Sequence, residues 1–210
     1  ATVAVPASVR RLPADTRQAV RVVASERWCR EVYCAQLEAW ERGPDEQWRR
    51  ARIDGGEEAV RAVIGPHGFG KQRAGDGRTP LGTYRIVTTF STDATGSGIR
   101  MPWRRRKPTT VVSDVPGPLY NTWYEERGRR DGARPAMRYG FWIGWNNPRL
   151  TPRRGAAPVP GKGSGIFLHS PPAKDPWHPT QGCVQVATSD AGWLVRWLDP
   201  RARPRVVLGE

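Results

Sequence analysis

Apolar and polar positions alternate in short runs along the first third of this chain, with turn residues between the runs. Residues 19–25, 31–40, 47–53 and 59–64 read as strands on that pattern. Arg42-Gly43-Pro44-Asp45 and Asp54-Gly55-Gly56 break the runs at hairpin spacing. Segment 1–16 carries two Pro and no period. It is expected to be an extended lead-in to a single domain over 17–210. Residues 65–79 read as a long loop rich in Gly and charge. Residues 81–90 read as one strand, because Thr83, Tyr84, Ile86, Val87, Thr88 and Thr89 are β-branched or aromatic.

The second half is sparser. Residues 91–138 read mostly as loop, and a structureless stretch of that length in a compact domain usually carries function or moves. Strands are expected over 139–145, 165–169 and 204–208, with a loop over 146–164. Trp193, Leu194, Trp197 and Leu198 fall on one helical face, which predicts a helix from a Ser189 cap to Asp199, stopped by Pro200. The fold class is therefore mainly β, with one clear helix near the C-terminus.

Composition narrows the classes. The 210 residues suffice for one domain with a proper core. Ten Trp argue against disorder, and no apolar run reaches the ~18 residues of a membrane span. The net charge of +14 should attract a polyanion such as an anionic cell-wall polymer, a membrane surface or nucleic acid. Nucleic acid ranks last, because the Arg residues are spread out and no recognised binding motif is present. The chain opens at Ala1 with no charged segment leading into an apolar one, so either a leader has been removed or the chain has been trimmed.

Chemistry concentrates in Phe167-Leu168-His169-Ser170 and Pro179-Thr180-Gln181-Gly182-Cys183-Val184. A cysteine becomes a strong nucleophile as its thiolate, which needs a base or a positive neighbour, and His169 can be that base. Gly182 permits a tight turn whose N–H groups can face a developing oxyanion. Taken alone, a Cys and a His this far apart are also what a buried Cys and a structural His would look like. His178 and Trp177 lie just upstream of Cys183. His67, Asn146 and Asn147 read as turn residues, and Asp76 with Arg78 as a loop-ordering pair. Trp142, Trp145 and Trp177 could line a sugar groove, although Trp142 fits core packing better. The three His have no metal-binding neighbours, so no metal site is expected.

These residues resemble the L,D-transpeptidases of the YkuD type, cysteine enzymes that cross-link bacterial peptidoglycan. His169 matches the family's upstream His, Thr180 its Ser/Thr, and Gly182-Cys183-Val184 its Gly-Cys-apolar ending. Thr79-Pro80-Leu81-Gly82-Thr83-Tyr84 is similar to the family's second motif, and the likeness covers about residues 65–208. Gln181 stands where the pattern has His, and Gln185 where it often has Arg. Gln181 cannot act as a base, but its amide can donate a hydrogen bond. Another of the many Arg could take the place of the missing one in substrate-carboxylate recognition.

The resemblance implies a β-sandwich of mixed sheets acting outside the cytoplasm on peptidoglycan stem peptides. Cys183 would be the nucleophile and His169 the base, with the Ser170 carbonyl holding the imidazole. The amides of Gln181, Gly182 and Cys183 would form the oxyanion hole, with Thr180 beside them. No cofactor is implied, and β-lactams of the carbapenem type would be inhibitors. Hydrolysis in place of cross-linking, or a silent wall-binding module, would fit the same residues. An extracytoplasmic location also allows a Cys29–Cys34 disulfide across a tight turn; the alternative is two small buried residues in one strand. Pairing them would leave Cys183 as the free thiol.

Overall fold

A computed structural model describes residues 3–128, 137–150, 156–171 and 177–210. Parts of the loops expected over 91–138 and 146–164 lie outside this set, as do residues 1 and 2 of the lead-in and part of the segment joining His169 to Thr180.

The strands are β1 (Gln18–Ala24), β2 (Cys34–Arg42), β3 (Trp48–Ala51), β4 (Val60–Val63), β5 (Gly82–Arg85), β6 (Thr89–Ser91) and β7 (Trp103–Arg105). They continue with β8 (Thr110–Val112), β9 (Trp123–Glu125), β10 (Tyr139–Trp142), β11 (Phe167–His169), β12 (Val184–Val186) and β13 (Arg205–Leu208). Among the described residues, eleven strands form one mixed sheet in the order β5-β13-β1-β2-β4-β12-β11-β10-β6-β7, with β3 also paired to β2. β8 and β9 make a separate two-stranded ribbon.

Period-two alternation assigns the faces. Phe141, Leu168, Val184 and Val186 join Val20, Val22, Leu37 and Leu208 in the main core. The helix α2 (Thr188–Trp197) covers this core with Leu194 and Val195. The opposite face of β10 and β11 presents Trp142 and Phe167, which pack with Phe90 in a separate aromatic cluster. The carboxylate of Glu38 is 1% exposed but fully engaged, accepting from Arg21, Arg50, Gln36 and the Trp40 indole. A buried charge needs such compensation.

Several expectations are corrected. The run 81–90 is two strands, not one. β5 pairs with β13 at one end of the sheet, and β6 pairs with β10 near the other. The chain crosses between them where Ile86 N–H donates to Pro204 O and Thr88 O accepts from Trp142 N–H. Residues 91–128 hold three strands of three residues each, too short to show a period. β12 is equally short and was also not expected. The second strand starts at Cys34, because residues 31–33 turn into the Cys29–Cys34 disulfide, whose Cα atoms are 5.8 Å apart. Ser189 does not cap α2: the helix starts at Thr188 after Ala187, with no side-chain cap. The lead-in is not fully extended. Pro6 precedes a one-turn helix, α1 (Ala7–Arg10), and Val9 is buried against Trp40, Trp48 and Val207.

Candidate active site

β11 and β12 run parallel, with Leu168 opposite Val184 and His169 opposite Gln185. One step back along this register sets Cys183 across from Phe167. The Phe167 N–H donates to Cys183 Sγ at 3.4 Å, and the thiol donates to Gly165 O at 3.4 Å. Side chains two apart on a strand share a face, so Phe167, His169, Cys183 and Gln185 all belong to the face of the aromatic cluster. Strand spacing and rise then put the Cys183 and His169 Cα atoms about 8 Å apart. The thiol donates to Gly165 O and His169 Nδ1 faces Ser170 O, with no hydrogen bond between the two side chains.

His169 is 8% exposed, and its Nδ1 lies 2.8 Å from Ser170 O. A carbonyl only accepts, so Nδ1 carries the hydrogen and Nε2 is left as the basic nitrogen. Burial pushes the imidazole down to about 4; the Ser170 contact opposes this, and the charge of Arg106 adds to it. Ser170 is itself fixed to β10. Its N–H donates to Tyr139 O, its hydroxyl accepts from Tyr139 N–H, and its carbonyl also accepts from Met137 N–H.

Cys183 is half-buried and is the free cysteine. Burial raises its thiol to about 11, against the pull of the Phe167 N–H and the Lys71 ammonium. Both shifts favour the neutral forms, thiol and imidazole, at neutral pH.

Thr180 closes the turn before Cys183. Its N–H donates to Ile64 O at 3.0 Å, and its hydroxyl donates to Cys183 O at 2.6 Å and accepts from Gly182 N–H at 3.1 Å. The last contact corrects one expectation: the Gly182 amide is turned to Thr180, not toward an oxyanion. Gly182 matters for its shape. Its φ is +130°, and a Cβ there would lie 2.7 Å from Arg78 O. The residue just before the second motif therefore packs against this glycine.

Lys71 was missed. Nothing in the chain marks it, since a lone Lys in a Gly-rich loop reads as solvated. It is 5% exposed, and its Nζ donates to Asp76 Oδ1 at 3.0 Å and to Arg78 O at 3.5 Å. A Cβ on Gly182 would lie 3.4 Å from that Nζ. Burial alone would raise the Asp76 carboxyl, but the N–H groups of Gln72 and Arg73, the Lys71 ammonium and the Arg78 N–H hold it well below the usual range. Asp76 thus orders the loop through Lys71 and backbone amides, while the Arg78 guanidinium donates to His67 O and Phe69 O. The expected Asp76–Arg78 side-chain pair is not the arrangement found.

Trp177 lies under the Arg61 guanidinium at 4.3 Å, and His178 follows it on the segment leading to Cys183. Trp145 is taken up by Lys162, whose carbonyl accepts from its indole N–H and whose ammonium lies over its ring. Trp142 is buried in the aromatic cluster. Next to Cys183 is a cavity of about 370 Å³ that reaches Gly165 and Phe167, with Arg106, Asp114 and Trp123 on its walls.

The family model for the YkuD L,D-transpeptidase catalytic domain matches residues 45–207. No curated protein matches the chain. Among solved structures, the helical cell shape determining protein Pgp2 from Campylobacter jejuni is similar at 15% identity and a TM-score of 0.44, over 92% of this chain and 48% of that one. L,D-transpeptidase 3 from Mycobacterium tuberculosis, in complex with a faropenem-derived adduct, is similar at 17% identity and a TM-score of 0.38, over 92% of this chain and 61% of that one. A further L,D-transpeptidase from Mycobacterium tuberculosis stands at 16% identity and 0.37, over 92% and 58%. The chain thus spans about half to three fifths of these proteins.

Proposed function

The chain belongs to the YkuD family of L,D-transpeptidase catalytic domains, and from that membership we propose that it cross-links peptidoglycan through an acyl-enzyme on Cys183. One observation carries the proposal: adjacent parallel strands hold Cys183 Sγ and the basic His169 on one face of the sheet. Cys183 Sγ attacks the carbonyl carbon at the third stem residue, and its proton passes to His169 Nε2. The C–N bond to the terminal D-alanine then breaks, and His169 returns the proton to the departing amine. An acceptor amine next loses a proton to His169, attacks the thioester and releases the thiol. The backbone N–H groups of Gln181 and Cys183 are the proposed oxyanion donors. Trp177 and His178 are proposed substrate contacts.

Extracytoplasmic action is part of this proposal. The Cys29–Cys34 disulfide supports it, since such bonds persist in oxidising compartments. The +14 charge suits an anionic wall. Among the described residues no helix is long and apolar enough to cross a membrane.

Water in place of the acceptor amine would make the same site an L,D-carboxypeptidase. Incubation with disaccharide-tetrapeptide should yield cross-linked dimers and free D-alanine. Tripeptide alone at every protein concentration would assign hydrolysis, and unchanged substrate would contradict both activities.

Lys71 supplies positive charge to the same turn. Lys71→Met should move the midpoint of Cys183 alkylation by iodoacetamide upward by about one pH unit and slow acylation about tenfold at fixed pH. The groups bearing on this thiol are Lys71, its partner Asp76, His169 and the Arg106 beside it. A purely structural Lys71 would change stability and leave that midpoint in place.

A further inference from the structure

The Cys29–Cys34 disulfide closes a short ring between β1 and β2, with a sequence separation of 5. Two residues inside that ring touch the elements around Cys183. The Tyr33 carbonyl accepts from Ile64 N–H at 3.0 Å, and the Ile64 carbonyl accepts from Thr180 N–H at 3.0 Å. The Thr180 hydroxyl in turn holds Cys183 O and Gly182 N–H. Val32 lies against Gly68, where an added Cβ would be 3.1 Å from Val32 Cγ1. Gly68 O accepts from Thr79 N–H, and Thr79 O accepts from the N–H groups of Gly70 and Lys71. The ring therefore backs both the turn before Cys183 and the loop that carries Lys71.

The two sulfurs sit differently. Cys34 is 3% exposed, opens β2 and stands opposite Val63 of β4, so the sheet fixes it. Cys29 is half-buried on residues 25–33, which belong to no strand. The disulfide ties this irregular loop to the sheet; once it is open, the loop regains conformational freedom, and the Tyr33 and Val32 contacts loosen with it. We infer that the disulfide is a redox switch on Cys183: closed, it holds the Thr180 turn; open, it slackens that turn and slows acylation. The inference rests on the acyl-enzyme reading given above. Opening takes a dithiol reductant. One of its thiolates attacks the more accessible Cys29 Sγ, the S–S bond breaks, and Cys34 leaves as a thiolate that takes up a proton. The second thiol of the reagent then displaces Cys29 as it closes its own disulfide, so two electrons pass to the protein. The chain is thus attenuated in a reducing compartment and gains its full rate in an oxidising one.

The test compares the oxidised wild type, the wild type reduced with dithiothreitol and desalted without oxygen, and Cys29→Ser/Cys34→Ser, with intact mass assigning the redox state. Carbapenem acylation should be about tenfold slower in both opened forms, the cost of a displaced reacting group. Reoxidation should restore the rate of the reduced wild type and leave the double variant slow. If the double variant does not fold, the reduced wild type decides. Hydrogen exchange separates the switch from general loosening. The Ile64 and Thr180 amides should exchange about tenfold faster in the opened forms. The Leu198 N–H, bonded to Leu194 O at the end of α2, should keep its protection. Equal acylation rates in folded oxidised and reduced protein would overturn the switch, as would unchanged Thr180 exchange or a rise that Leu198 shares. Absence of acylation in every form would contradict the acyl-enzyme reading instead, and Thr180 exchange would still decide whether the ring holds the turn.

Discussion

Replacing His169 by glutamine should slow acylation of Cys183 by a carbapenem by about 10²–10⁴-fold, the usual share of a general base. The burden on this base is heavy. With the thiol raised to about 11, the thiolate is a ~10⁻⁴ fraction at pH 7. The same variant should alter the pH dependence of stability. The folded imidazole is lowered to about 4 from an ordinary 6.5, so below 6.5 the unfolded chain takes up a proton that the folded one refuses. His169's contribution to stability is therefore intact above 6.5 and is lost as pH falls toward 4. Urea unfolding at pH 7 and pH 5 should show the wild type losing about 2 kcal/mol more than His169→Gln over that interval. Equal losses would mean that the imidazole is not held neutral by burial.

Gly182→Ala should be the most damaging single methyl group near the site. A φ of +130° is a conformation that L side chains rarely adopt, and the new Cβ would meet Arg78 O at 2.7 Å and the Ile166 and Lys71 side chains at 3.4 Å. Backbone strain of this kind costs about 1–3 kcal/mol, and the carbonyl contact adds to it. A total near 3 kcal/mol corresponds to a drop in Tm of roughly 6–12 °C for a domain of this size. Acylation should fall further than stability does, because the displaced turn carries Cys183. An alanine variant with wild-type Tm and wild-type acylation would contradict the turn described.

β1 to β4 were legible from alternating runs and local partners, and β10, β11 and β13 from short runs rich in apolar and β-branched residues. β1, β2, β3 and β4 follow one another in sequence and pair with near neighbours, so pattern and turn residues sufficed. The three-residue strands β7, β8, β9 and β12 were invisible, because a period of two needs more than one repeat to show. The division of residues 81–90 was hidden for another reason. Both halves carry β-branched and aromatic residues with no breaker between them, and only their remote partners Pro204 and Trp142 reveal where the chain crosses. At the candidate site, Cys183, His169 and Thr180 stand out in the sequence because their chemistry and order carry meaning. Lys71 was not, since its role comes from burial against a glycine more than a hundred positions away.

Cys183 is the proposed acylated nucleophile. The most direct measurement is the intact mass of the folded protein after incubation with a carbapenem, for the wild type and for Cys183→Ala. The wild type should gain one carbapenem per chain and Cys183→Ala none; a folded wild type of unchanged mass, or an adduct that survives the substitution, would contradict the assignment.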